Sequence, residues 1–165
     1  MALHLLERRQ LIPGRTLAEV FHFFERPENL EQLTPPALRF VILTPSPIRM
    51  RPGTLIDYVL RVHYLPIHWR TMITHYDPPH EFVDEQLKGP YAMWHHTHRF
   101  RQVPEGVEIE DLVRYMLPLA PLGELAHPFV RRDLNRIFNY RHKVIGELFA
   151  GRAPLPREAA VQSQP

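Results

Sequence analysis

Between residues 91 and 100 the chain reads YAMWHHTHRF. At strand period Trp94, His96, His98 and Phe100 fall on one face, and His95, Thr97 and Arg99 on the other. Imidazoles can move protons near neutral pH or ligate a metal, so His96 and His98 are the first candidates for chemistry. An ordinary half-buried strand alternates apolar and polar residues. Here the aromatic face carries polar heads of its own. That pattern suits a cavity wall with a few placed polar groups.

The neighbours of the two histidines decide what they can do. Asp111, on the following strand, falls diagonally across from them, and His96, His98 and Asp111 form a candidate acid–base set. Alternate strand positions lie about 6.5–7 Å apart, close enough for two imidazoles to converge on one ion. Asp84 and Gln86 on the preceding strand are the nearest further ligands, but neither clearly completes the set, so no metal and no other cofactor is expected. The preferred reading has both imidazoles hydrogen-bonded to Asp111 and Tyr115, shaping a polar end of the cavity. If the face assignment is inverted, the cluster lies at the surface instead. Arg141 falls near the middle of an apolar helical stripe. It snorkels outward, pairs with an inward acid such as Asp84 or Asp111, or anchors a ligand carboxylate; the internal pair is preferred, because an unpaired buried charge is costly.

The elements that must position these residues follow in order. Residues 3–11 alternate as a strand, with Leu3, Leu5 and Leu11 on one side, and Pro13-Gly14 ends it. Thr16 as N-cap and Glu19 three residues on predict a capping box and a helix carrying Val20, Phe21, Phe23 and Phe24. A second short helix is expected over 28–33. Strands are expected over 38–43, 55–63, 67–76, 81–87, 91–100 and 107–117, with Pro- or Gly-containing turns between them. Tyr58 and Trp69 each fall on a face shared with other apolar residues, and Phe82 on one shared with Asp84 and Gln86. A two-residue turn at Glu105-Gly106 would set His98 opposite Val113, His96 opposite Tyr115 and Phe100 opposite Asp111. From 122 to 149, Val130, Leu134, Ile137, Phe138, Val144, Ile145 and Leu148 recur at helical spacing, with Pro128 near the start. Residues 1–150 read as one domain, and 151–165 as a disordered tail.

This order of elements, with the strings NLEQLTPPALRFVILTP, GPYAMWHHTHRF, DLVRYMLPLAPLGELA and IFNYRHKVIGELF, resembles the START and Bet v 1-like (SRPBCC) superfamily, which includes polyketide cyclases. The resemblance spans roughly residues 3–150. It implies an α+β helix-grip fold: a curved antiparallel sheet of about seven strands wrapped around the long C-terminal helix, with two short helices after the first strand. It further implies a cavity between sheet and helix for a hydrophobic or amphipathic molecule, but no particular reaction, since the fold hosts binders, carriers and enzymes alike.

Bulk properties narrow the classes. The chain has 165 residues, a formal charge of +2, no cysteine and 18 prolines. Disulfides and thiolate chemistry are excluded. All 20 basic residues except Lys88 and Lys143 are Arg, but they form no run of five or more, which argues against a nucleic-acid surface. No apolar run is long enough to span a membrane, and MALHLLERRQ lacks the apolar core of a secretory signal; a cytoplasmic protein, monomeric or homodimeric, is expected. The expected function is binding or carriage of a lipid, quinone or polyketide-like molecule, with Tyr58, Trp69, Phe82, Asp84, Gln86, Tyr91, Trp94, His96, His98, Asp111, Tyr115, Phe138 and Arg141 around it. The aromatic members suit a flat or prenyl-like ligand. The alternatives are a cyclase or dehydratase using His96 and His98 as acid–base groups, with Tyr115 or Arg141 stabilising an enolate, and an interaction module using exposed His/Arg-rich strand faces.

Overall fold

The computed structural model describes residues 2–151, so the expected disordered tail lies outside the described residues. The order is β1 (His4–Pro13), α1 (Leu17–Phe24), two 3-10 turns (Pro27–Leu30 and Pro36–Leu38), β2 (Val41–Ile42), β3 (Leu55–Val62), β4 (Leu65–Asp77), β5 (Glu81–Lys88), β6 (Met93–Val103), β7 (Gly106–Met116) and α2 (Leu122–Ala150). The seven strands form one sheet in the order β1-β7-β6-β5-β4-β3-β2, and every pairing is antiparallel. Register shifts between Arg70 and Thr71 and between Ile73 and His75 mark irregularities in β4, and such bulges bend a strand and increase its twist. This is the helix-grip α+β fold. No helix among the described residues is long and apolar enough to cross a membrane.

Local chemistry explains most of the elements. Thr16 and Glu19 close the capping box reciprocally, and α1 buries Val20, Phe21, Phe23 and Phe24. On α2 the buried residues are Leu134, Phe138, Arg141, Ile145 and Phe149, three or four apart, so one stripe faces the sheet. Pro128 lies inside the helix, in its exposed first turns.

Four expectations need correction. The side of β1 carrying Leu3, Leu5 and Leu11 faces out, with Leu3 and Leu5 62% and 61% exposed, while Leu6 and Ile12 enter the core. Alternation on that strand is apolar on both faces in part, so it does not choose the inner one. The second helix is a single 3-10 turn, and the strand expected over 38–43 pairs only at Val41 and Ile42. Prolines on both sides of these segments remove backbone donors, and Arg39 adopts a left-handed conformation just before β2.

The fourth correction bears on the site. Val103 pairs with Gly106, so the turn is Pro104-Glu105, and His98 sits opposite Asp111, His96 opposite Val113 and Phe100 opposite Ile109. The shift is two residues, which preserves every face. Gly106 belongs to the strand because β1 crowds it: a Cβ there would collide with the Ile12 carbonyl oxygen.

Candidate functional site

β5, β6 and β7 lie side by side, and each sends acid or imidazole to the inner face. Asp84 pairs opposite His96 across β5–β6, and His98 pairs opposite Asp111 across β6–β7. α2 lies over them and lowers Arg141 onto the same spot. The Asp111 carboxylate is the hub: its Oδ1 accepts from His96 Nε2 at 2.9 Å, lies 3.0 Å from His98 Nδ1 and accepts from Arg141 Nη2 at 3.4 Å. On the other side, His98 Nε2 bonds Asp84 Oδ2 at 2.7 Å, and His96 Nδ1 lies 3.6 Å from the same oxygen. The imidazole rings lie with centroids 3.7 Å apart.

The charges in this cluster settle each other. Burial alone would raise the Asp111 carboxyl, but the Arg141 charge and the hydrogen bonds from His96 and His98 hold it well below the usual range. Asp84 is also pushed up by burial and pulled down further by the His98 hydrogen bond and the charges around it, ending below its ordinary value. Burial disfavours the His98 cation, yet hydrogen bonds to Asp111 and Asp84 outweigh it and raise its pKa. His96 goes the other way: burial and the neighbouring His98 charge lower it in spite of Asp111. The shifts therefore favour the ionised forms of Asp84 and Asp111, the neutral form of His96 and the cationic form of His98. Arg141 rests 5.4 Å from the centre of the Phe24 ring, a cation–π distance.

A cavity of about 220 Å³ lies between the sheet and α2, and Asp84, His96, His98 and Arg141 form part of its wall. Of the other expected site residues, Tyr58, Trp69, Phe82, Tyr91, Trp94 and Phe138 line it too. Burial, followed by the Asp84 charge, pushes the Tyr58 hydroxyl far above its ordinary value, which keeps it neutral. The Trp69 and Trp94 rings meet edge to face with centroids 5.4 Å apart, and Trp69 stacks on Tyr58 at 5.8 Å.

Three expected residues stand elsewhere. Asp111 lies behind the histidines rather than on the cavity wall. Gln86 turns to the loop that follows β5, donating to the Tyr91 carbonyl at 2.8 Å and accepting from the Tyr91 N–H at 3.3 Å, so it positions Tyr91. Tyr115 does not reach the histidines; its hydroxyl meets His127 Nε2 on α2 at 3.2 Å. The two-residue register shift accounts for this, since it moves Asp111 into the place assigned to Val113 opposite His98.

The sequence reading missed Phe24, Thr71 and Leu134 as wall residues. Thr71 shares the inward face of Trp69, so strand parity could have found it; Phe24 and Leu134 come from helices whose angle to the sheet no local pattern encodes. Three buried polar atoms on wall residues, Trp69 Nε1, Thr71 Oγ1 and Arg141 Nε, have no hydrogen-bond partner among the described residues.

No family model and no curated protein sequence matches the chain. Solved structures do. Protein CV1439 from Chromobacterium violaceum superposes with a TM-score of 0.69 at 10% identity, over 90% of this chain and 98% of that one. Protein TTHA0849 from Thermus thermophilus gives 0.66 at 17% identity, over 90% and 100%. Ginseng major latex-like protein 151 from Panax ginseng gives 0.62 at 9% identity, over 89% and 97%. At such identities the likeness is one of fold.

Proposed function

We propose that this protein binds and carries a compact hydrophobic or amphipathic small molecule in the cavity between the sheet and α2, with its polar end at Arg141 and the paired histidines. The observation that carries this reading is the set of unpartnered buried polar atoms, Trp69 Nε1, Thr71 Oγ1 and Arg141 Nε, in a largely apolar wall. A buried donor left unpaired costs about 1–3 kcal/mol, and an oxygen-bearing occupant relieves that cost. At about 220 Å³ the cavity lies below the ~300–1,000 Å³ typical of drug-sized pockets. It therefore suits a small quinone or a polyketide-like ring better than a fully enclosed lipid chain. The aromatic wall favours the same flat shape. The setting proposed is cytoplasmic, as a monomer or homodimer.

Both tryptophans of the chain line the cavity, so any occupant alters the whole Trp emission. Flat aromatic carboxylates, quinones and short prenyl alcohols are titrated against that emission. Native mass spectrometry of the purified protein, with organic extraction, reads the bound mass and the oligomeric state together. Saturable quenching by one class supports the proposal; no quenching by any member of the panel sinks it.

A second reading is an acid–base enzyme of the cyclase or dehydratase kind. It is favoured by His96, neutral and held through Nε2 by Asp111, an arrangement that orients a general base. Arg141 would then stabilise an enolate, and Tyr115 would not, because it faces His127. For this reading His96→Phe abolishes turnover of a polyketone substrate and spares its binding; turnover that survives the substitution removes His96 from the chemistry.

A further inference from the structure

The sequence by itself offers no clear third ligand for a metal on His96 and His98. The fold supplies one. Asp84 Oδ2 lies 2.7 Å from His98 Nε2 and 3.6 Å from His96 Nδ1, and three donor atoms, one from each residue, lie within 4.8 Å of one another. Ligand atoms on a tetrahedral ion with ~2.1 Å bonds stand about 3.4 Å apart. The observed spacings straddle that value, so a small turn of the His98 ring admits an ion.

The far ring nitrogens are already engaged. His96 Nε2 and His98 Nδ1 lie 2.9 and 3.0 Å from the same oxygen of Asp111. With Nε2–H donated to Asp111, His96 presents Nδ1 as a fixed lone pair, which is how metal-binding histidines are held; His98 presents Nε2 once the ion displaces the proton shared with Asp84. One acid thus turns two rings toward a second acid. An acid–base pair alone needs only one of those rings oriented.

We propose that Asp84, His96 and His98 form a binding site for one divalent first-row transition-metal ion, oriented by Asp111 and open to the cavity. Two imidazoles and one carboxylate suit zinc, iron or cobalt and disfavour magnesium and calcium, which take oxygen ligands. With the ion in place of the His98–Asp84 hydrogen bond, the two carboxylates do not fully offset the dication and Arg141, and one positive charge remains. A wall this apolar does not hold an unbalanced charge cheaply. The open coordination position therefore takes an anionic oxygen: hydroxide, or the enolate or carboxylate head of a cavity ligand. Metal binding needs no organic occupant, so the site stands or falls apart from the carrier reading.

The test uses the full chain, stripped with a chelator and titrated with Co²⁺ while the visible spectrum is recorded. One Co²⁺ per chain is expected, with the d–d bands of a nitrogen/oxygen-ligated ion of low coordination number, displaced by Zn²⁺. Asp84→Asn and His98→Gln each weaken Co²⁺ binding by about tenfold or more, while His95→Gln, on the opposite face of the sheet, leaves it unchanged. Should the site variants not fold, the wild type still decides: Co²⁺ shifts the ring N–H protons of two slowly exchanging, buried histidines. No uptake of Co²⁺ or Zn²⁺ at about 100 μM, uptake unaltered by Asp84→Asn, or shifts confined to surface histidines would each overturn the site.

Discussion

His98 on β6 sits directly opposite Asp111 on β7, with its Nδ1 3.0 Å from Asp111 Oδ1. Through that oxygen Asp111 also holds His96 and Arg141, so one carboxylate behind the wall orients three polar side chains that face the cavity. Replacing it tests the hub without touching the wall. Asp111→Asn keeps the shape and removes the charge; it is expected to cost about 3–5 kcal/mol, because it leaves Arg141 buried without its acid. Urea denaturation followed by Trp fluorescence measures the loss, and a change within error would show the cluster to be indifferent to its centre.

Arg141→Met probes the same hub from the helix. The variant removes a buried donor and is expected to weaken binding of a flat aromatic carboxylate by roughly tenfold or more, and binding of the corresponding neutral aldehyde much less. The ratio of the two dissociation constants is the readout, and equal losses would make Arg141 a packing residue only.

Phe138 lies on the buried stripe of α2, lines the cavity and packs 5.7 Å from His96, centre to centre. Phe138→Ala is expected to destabilise the fold by about 3–5 kcal/mol. The same change enlarges the cavity, so a bulkier member of a ligand series gains affinity relative to wild type. Both follow from paired denaturation and quenching curves.

Thr16→Ala removes the α1 cap and is expected to cost ~1 kcal/mol. Because α1 contributes Phe23 and Phe24 to the cavity wall, amide exchange in residues 17–24 rises with it. Exchange confined to other segments would separate the cap from the wall.

His127, beside Tyr115, is stacked on His4 with centroids 3.7 Å apart. Burial, and then the His4 charge, lower its pKa. The fold therefore favours neutral His127, so its contribution is present above an unfolded-state value of about 6.5 and is lost as pH falls through the lower folded value. An NMR titration is expected to place the His127 midpoint below that of a free imidazole, and His4→Gln to move it upward. A midpoint that ignores His4→Gln would remove His4 as a cause and leave burial and the Arg131 charge.

What the sequence determined by itself is what periodicity encodes. Alternation put Tyr58, Trp69, Phe82, Asp84, Trp94, His96 and His98 on faces that turn inward, and a 3.6-residue stripe put Leu134, Phe138, Arg141 and Ile145 on one side of α2. Thr16 and Glu19 announced their helix through a local hydrogen-bond box. These are near-neighbour effects, and they survive without knowledge of the rest of the chain. Only the tertiary structure decided which inward residues meet. A strand pattern is unchanged by a two-residue slip, so it could not tell Asp111 from Val113 as the partner of His98. Nor could it bring Asp84 to both histidines, send the Tyr115 hydroxyl to His127, or choose the inner face of β1. Those outcomes depend on the turn at Pro104-Glu105, on the pressure of β1 against Gly106 and on how α2 lies across the sheet, all of them contacts between segments far apart in the chain.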